Sequence, residues 1–193
     1  MTAIDLALKL KEQFGDLISE PIEFRGEITV VVKDANRINE VCAFAKQSLG
    51  FDYLVDITSV DNYGEEPRWT VVYELFGYSH RCYLRLKTNV SESISSLPSV
   101  TGVWSTANWH EREIYDMMGI RFDGHPDLRR ILMWEGYPYY PLRKDFPLEG
   151  KPSEVPGIAF TQSAPLEGGP FVTAPGKSAS KREPRSRSPN SNG

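Results

Sequence analysis

The chain has 193 residues, 40% of them hydrophobic and 11% aromatic, with a formal net charge of −4. That length holds one ordinary domain with an appendage and that composition supplies a real core, while the acidic balance argues against a protein whose main partner is nucleic acid. No run approaches the ~18 apolar residues of a membrane span, and Cys42 and Cys82 form no pair motif, so neither a disulfide framework nor a cluster site is expected. The first segment carries Asp5, Glu12, Asp16 and Glu20 within its apolar pattern, unlike a secretory or mitochondrial leader. A reducing compartment, a bacterial cytoplasm, is the expectation.

Thr2 with Asp5 three residues on has the form of a capping box, and Ile4, Ala7, Leu10, Phe14 and Leu17 follow at helical spacing. This predicts an amphipathic first helix ending before Pro21. ITVVV at 28–32 reads as a strand. Asn36 is the expected N-cap of a second helix carrying Ile38, Val41, Cys42, Ala45 and Leu49 on one stripe, with Gly50 at a left-handed C-cap. Three strand candidates follow: LVDITSV (54–60), WTVVYELF (69–76) and RCYLRLK (81–87). The last alternates Cys82, Leu84 and Leu86 with Arg81, Tyr83, Arg85 and Lys87. The turn-rich links DNYGEEPR and GYSH predict an antiparallel meander. Helix, strand, helix and more strands describe an α+β domain in two layers, helices on a mixed, mostly antiparallel sheet. Its expected extent is residues 1–133.

From Trp134 to 175 the chain is rich in proline and glycine and shows no sustained period, yet it holds Trp134, Tyr137, Tyr139, Tyr140, Phe146, Phe160 and Phe171. Disordered segments are normally poor in aromatics, and a structureless arm of this length is unusual inside a compact domain. An extended arm lying on a partner's surface is therefore expected for 134–175, with folding back on its own domain as the alternative. The basic Ser/Arg-rich end, 176–193, reads as a disordered tail.

HEREIYDMMGIRFDGHPDLRR, residues 110–130, concentrates the charge. Read as part of a helix over 104–118 closed by Gly119, it gathers Trp104, Ala107, Ile114, Tyr115 and Met118 on one arc, with Arg112, Glu113 and Asp116 on the other side. Arg112 and Asp116 stand i,i+4 for a surface pair. Glu111 projects from the middle of the apolar arc, and an ionised carboxylate there costs several kcal/mol unless a cation meets it. Arg129 or Arg130 is the expected partner, since a guanidinium fork satisfies both carboxylate oxygens.

No enzymatic constellation survives inspection. HEREI starts like a zinc-protease helix but has Ile114 where the second histidine is required. His110 and His125 lack a defined third ligand, and His80 sits in an expected hairpin turn. Glu111 and Glu113 point about 160° apart on one helix and cannot form a glycosidase pair. There is no GxGxxG after a strand, no phosphate loop, no nucleophile elbow and no CxxC. Cys42 and Cys82 lie on apolar faces and read as small core residues.

Glu111-Arg112-Glu113, two residues, Asp116, two hydrophobics, Gly119 and then FDGHPDLRRIL resemble the signature of the 30-kDa subunit family of respiratory complex I, NADH:quinone oxidoreductase, and PLRKDFPLEG at 141–150 resembles a second family segment. The resemblance covers roughly residues 1–160. It implies a structural subunit of the hydrophilic arm, with no cofactor on this chain; FMN and the Fe–S clusters lie in sister subunits that pass electrons from NADH to quinone (ubiquinone in many members), and proton transport follows. It implies a peripheral place on the cytoplasmic face of the bacterial cell membrane, held through the complex. The implied partners are the large quinone-site subunit (D-type) and cluster-bearing neighbours. Candidate structural or docking residues are Glu111, Arg112, Glu113, Asp116, Gly119, His125, Pro126, Asp127, Arg129 and Arg130, with Trp134, Tyr137, Tyr140, Arg143, Lys144, Asp145 and Phe146 as the partner-arm set. Two alternatives stay open: the equivalent subunit of a membrane-bound hydrogenase or formate hydrogenlyase, and a free-standing hydrolase using His110 or His125.

Overall fold

The computed structural model describes residues 1–148, 150 and 151. The chain divides into two units at Asp145/Phe146, and every helix and strand named here lies in the first, Met1–Asp145. Helix α1 (Ala3–Phe14) opens with the expected capping box: the Thr2 hydroxyl accepts from the Asp5 N–H while the Asp5 carboxylate accepts from the Thr2 N–H at 2.9 Å. A 3-10 turn, Gly15–Leu17, leads to β1 (Ile22–Phe24) and β2 (Glu27–Val32). The next cap is not Asn36. Asp34, in extended backbone, accepts from the Asn36 N–H at 3.0 Å and starts a 3-10 turn (Ala35–Arg37) that runs into α2 (Ile38–Gln47). The carboxylate two residues upstream takes the orphan donor, so the asparagine falls inside the turn.

Strands β3 (Tyr53–Asp61), β4 (Trp69–Gly77) and β5 (Cys82–Val90) form the expected antiparallel meander. β2 then pairs parallel with β5, completing a mixed sheet in the order β1-β2-β5-β4-β3. One sheet face is apolar. Leu84, Leu86 and Val90 of β5 face Leu75, Tyr73 and Trp69 of β4 in register, and all are buried with Val30, Val32, Leu54 and Ile57. Leu6 and Leu10 of α1 and Ile38, Val41 and Cys42 of α2 complete this core, each large aliphatic side chain contributing about 1.5–3 kcal/mol of burial. Cys82, at the strand end, is only half-buried and not a full core residue. The opposite sheet face is mixed: Arg85 pairs with Glu74 of β4 and Glu27 of β2, and Phe76 packs on Tyr83 beside them.

A second, two-stranded parallel sheet joins β6 (Ser96–Pro98) to β7 (Arg121–Asp123). It has no sequence signal, because three residues are too few to display a period. Between its strands lies α3 (Ala107–Met118), which packs along the edge strand β3. It starts at Ala107 rather than 104, since residues 100–104 spend their bonds in a turn, with Trp104 N–H donating to the Val100 carbonyl at 3.0 Å. It stops where expected, at Gly119 in the left-handed conformation (φ 79°).

The arm differs from its expected boundary. Residues 134–145 belong to the first unit, not to a separate arm starting after 133; Phe146 begins the second unit. Apart from 146–148, 150 and 151, the remainder of the expected arm to 175 and the expected basic tail 176–193 lie outside the described residues.

A Cβ on Gly119 would come within 2.6 Å of the Arg143 guanidinium and 2.8 Å of the Tyr140 ring. Gly119→Ala therefore combines left-handed strain with a clash, and thermal denaturation should show a loss of roughly 1–3 kcal/mol or more. Gly102, with open space around it, should accept alanine within about 0.5 kcal/mol.

Candidate functional site

Helix α3 carries two buried carboxylates whose surroundings are opposite. Glu111 has no exposed surface, and among the described residues no arginine pairs with it. Its oxygens accept from the Ser99 hydroxyl and the Val100 N–H, both at 2.7 Å, which ties the helix to the chain after β6. Burial dominates over those two bonds and pushes its pKa up to about 7. The expected Glu111–arginine pair is thus absent.

The guanidinium goes to Asp116 instead. Asp116, expected on the exposed arc, is also fully buried. Arg130 Nη1 donates to one carboxylate oxygen at 2.5 Å, and the N–H groups of Ile131, Leu132 and Met133 donate to the other at 3.0, 2.7 and 2.8 Å. Burial pushes this carboxyl up, but the N–H of Met133, Arg130 and the two other N–H groups together hold it below its usual value. The expected Arg112–Asp116 surface pair does not form, because the return loop covers that side of the helix. Arg112 donates to the carbonyls of Arg129 and Arg130, both at 3.2 Å. His125 lies 3.2 Å from the Asn108 carbonyl through Nε2, and its Nδ1 accepts from the Asp127 N–H at 3.0 Å. Nδ1 as acceptor makes Nε2 the donor. Asn108, Arg112 and Asp116 are four residues apart, so successive turns of one helix face hold successive pieces of the loop.

The last carbonyls of α3 are met in turn. Arg130 Nη1 donates to Asp116 O at 3.0 Å, the Leu142 N–H to Met117 O at 3.1 Å and Arg143 Nε to Met118 O at 2.6 Å. Two of these donors are cations at a helix C-terminus, where the dipole favours them. They also enter a stack of alternating rings and guanidiniums. Arg130 lies 5.6 Å from the Tyr137 ring centre and 5.2 Å from that of Tyr140; Arg143 lies 4.5 Å from Tyr140 and 5.1 Å from Trp69; Arg68 lies 4.4 Å from Trp69. Partly desolvated pairs of this kind contribute about 0.5–2 kcal/mol each. Arg68 anchors the far end. It grips Asp61 through two 2.9 Å bonds and also pairs with Glu92 and Asp145, while the Lys144 N–H donates to Asp61 at 2.8 Å. The Arg68 bond first, then the Lys144 N–H, hold the Asp61 carboxyl below its ordinary value against burial.

Most of the expected site residues are thus brought together. Arg112, Asp116, Gly119, His125, Arg130, Tyr137, Tyr140, Arg143, Lys144 and Asp145 form one brace, while Glu111 bonds elsewhere. Trp134 meets Tyr137 edge-on, with ring centres 4.5 Å apart. Glu113 and Pro126 are exposed, and Arg129 pairs with Asp127 at the surface at 2.9 Å. Sequence reasoning missed Ser99, Asp61, Arg68 and Trp69. The excess of charge around DNYGEEPRW was a signal, but it read as a turn. His110 pairs with Asp56 at 3.0 Å, joining α3 to β3. Among the described residues no three His, Cys, Asp or Glu side chains gather as metal ligands, and no helix is long and apolar enough to cross a membrane.

The family model described as respiratory-chain NADH dehydrogenase, 30 Kd subunit, matches residues 31–152, from within β2 through the brace. The chain belongs to this family. The C-type subunit of NADH-quinone oxidoreductase from Geotalea uraniireducens is 47% identical over 147 residues, covering 76% of this chain and 89% of the relative. A like-named subunit from Rhizobium etli is 50% identical over 143 residues, 73% of this chain and 75% of the relative. A solved structure, Nqo5 of a trypsin-resistant fragment (1–134), aligns with TM-score 0.55 and 34% identity over 66% of this chain and 100% of that one. A chain of a membrane-bound sulfane sulfur reductase, an archaeal respiratory membrane complex, shares the fold at TM-score 0.65 and 22% identity, over 75% of this chain and 85% of that one. The match to the 30-kDa family model thus includes both carboxylates of α3 and the whole ring–guanidinium stack.

The two carboxylates should respond to pH in opposite directions. Between its ordinary 4.5 and about 7, folded Glu111 holds a proton that the unfolded chain has released, so stability falls as pH rises through that window, by on the order of 3 kcal/mol. Urea unfolding at pH 5 and pH 8 should show this slope removed in Glu111→Gln; an unchanged slope would place the titration elsewhere. Asp116 is stabilising above its unfolded pKa and loses that contribution as pH falls through its lowered folded value. Asp116→Asn at neutral pH strands Arg130 and should cost about 3–5 kcal/mol in the same measurement.

Proposed function

We propose that this chain is a structural subunit, without a cofactor or catalytic site of its own, of a proton-translocating NADH:quinone oxidoreductase. It serves electron transfer from NADH through FMN and Fe–S clusters of sister subunits to quinone. It sits in the hydrophilic arm, peripheral on the cytoplasmic face of the membrane. Its chief neighbour is the large quinone-site subunit. The observation that carries this reading is the use of the signature residues. Arg112, Asp116, His125, Arg130 and Arg143 spend their hydrogen bonds holding one helix, one loop and the chain up to Asp145. Such a brace gives a rigid shape up to Asp145, which is what a subunit that positions others requires. Family membership and the relatives' names support the same reading.

The partner-lying segment is then the chain from Phe146 onward. Among the expected docking residues Glu113, Asp127, Arg129, Lys144 and Asp145 are exposed and charged; pairs made by such groups set register and orientation more than affinity. The relative known as a trypsin-resistant fragment (1–134) fits a stable domain followed by a segment that depends on its surroundings. The shared fold with a sulfane sulfur reductase chain keeps related membrane complexes with other electron donors as the second reading, because the donor is chosen by other subunits.

Gentle solubilisation of the membrane and purification through a tag on this chain should bring down a flavin-bearing, NADH-oxidising subunit and quinone-reductase activity. A nickel–iron subunit in its place would support the second reading, and a lone monomer turning over a substrate would refute both. Trypsin should leave Met1–Asp145 intact in the isolated chain and cut beyond it, with those later sites protected in the complex.

A further inference from the structure

A groove of about 530 Å³ opens between α3, the return loop and the turn after Trp134, lined by Arg112, Tyr115, Leu128, Arg129, Ile131 and Glu135 among others. That is the size of a ligand-scale cleft, about 300–1,000 Å³. Two of its cations are already matched: Arg130 by Asp116, and Arg129 by Asp127. Arg112 is not. Its Nε and Nη2 donate to two neutral carbonyls, its guanidinium lies 5.6 Å from the Trp109 ring centre, and among the described residues no carboxylate forms an ion pair with it. A half-buried guanidinium has five N–H donors and needs a counter-charge, and the groove is where one can approach. Tyr115, Leu128 and Ile131 supply apolar wall, and Trp109 beside Arg112 is 64% exposed.

We infer that this groove seats an acidic segment of another subunit of the complex, which sets a carboxylate on Arg112 and an apolar side chain against Tyr115 and Ile131. The inference rests on the reading of the chain as a subunit. The basic segment 176–193, GKSASKREPRSRSPNSNG, has the wrong charge for this seat. With Nε and one Nη2 N–H given to the loop carbonyls, the end of the guanidinium, its Nη1 and second Nη2 N–H groups, is left as a fork for a carboxylate.

The test uses the assembled complex. With p-benzoyl-phenylalanine in place of Glu135, illumination should cross-link this chain to a different subunit within a few residues of an Asp or Glu. Arg112→Glu should then lower recovery of that subunit with this chain by about tenfold or more at moderate salt, and reversing the cross-linked acid to Lys should restore it. Because Arg112 also holds the loop, Arg129→Glu serves as the second variant: its guanidinium is exposed and, among the described residues, pairs with Asp127 alone, so it should weaken the same contact without unfolding the chain. A cross-link to this chain itself, to a second copy of it or to a segment without acidic residues overturns the inference, as does failure of the charge reversal to rescue. If no NADH:quinone oxidoreductase subunit is recovered even with the unaltered chain, the subunit reading fails instead, so the two failures are distinct.

Discussion

The structure depends on one carboxylate. Asp116 sits with no exposed surface on the side of α3 that helical periodicity assigns to water, and it is stable there because four donors converge on it. Three are consecutive backbone N–H groups that have no strand or helix to bond within. A loop that is neither helix nor sheet must satisfy its donors somewhere, and here one side chain accepts them together. The loop is thereby shaped by the helix, and the helix gains the cover that makes burial of its polar side possible.

The arginines extend this logic. Arg130 and Arg143 cap the helix C-terminus, and their planar faces are covered by Tyr137, Tyr140 and Trp69. Each guanidinium is thus used twice, in its plane for hydrogen bonds and on its face for rings. A lysine has no planar face to stack and no fork. The stack reaches Arg68, whose grip on Asp61 and Asp145 joins the hairpin of β3 and β4 to the point where the chain leaves the domain. An irregular, proline-rich segment holds its course to that point without secondary structure because its side chains and single backbone N–H groups such as those of Leu142 and Lys144 are bonded to other elements. Glu111 is the contrasting solution on the same helix. With two hydrogen bonds and no cation paired to it among the described residues, its charged form is less favoured than that of Asp116.

Elements with a strong period were legible from the residues. The capping box of Thr2, the meander of β3, β4 and β5, the apolar stripe of α2 and the stop at Gly119 follow from local rules, and the tertiary structure agrees with them. Asp34 took the role expected of Asn36, a choice between two good caps two residues apart. β6 and β7 were invisible because their pairing is long-range and their length minimal. The carboxylates of α3 were read with their roles exchanged. A helical wheel describes one face against one solvent, and α3 has two buried faces, one on the sheet and one under its own return loop.

By itself the sequence determined the fold class, the placement of most elements and the family, because those rest on periodicity, caps and a long motif of mixed chemistry. It also marked Glu111, Asp116, Arg130 and Arg143 as residues with work to do. Only the tertiary structure decided which charge meets which, and that residues 134–145 lie on their own domain. Pairing energy depends on burial and on a few ångströms between groups far apart in the chain, Arg68 and Asp145 being 77 positions apart. No local pattern encodes that distance; it exists once the sheet, the helix and the loop have closed on one another.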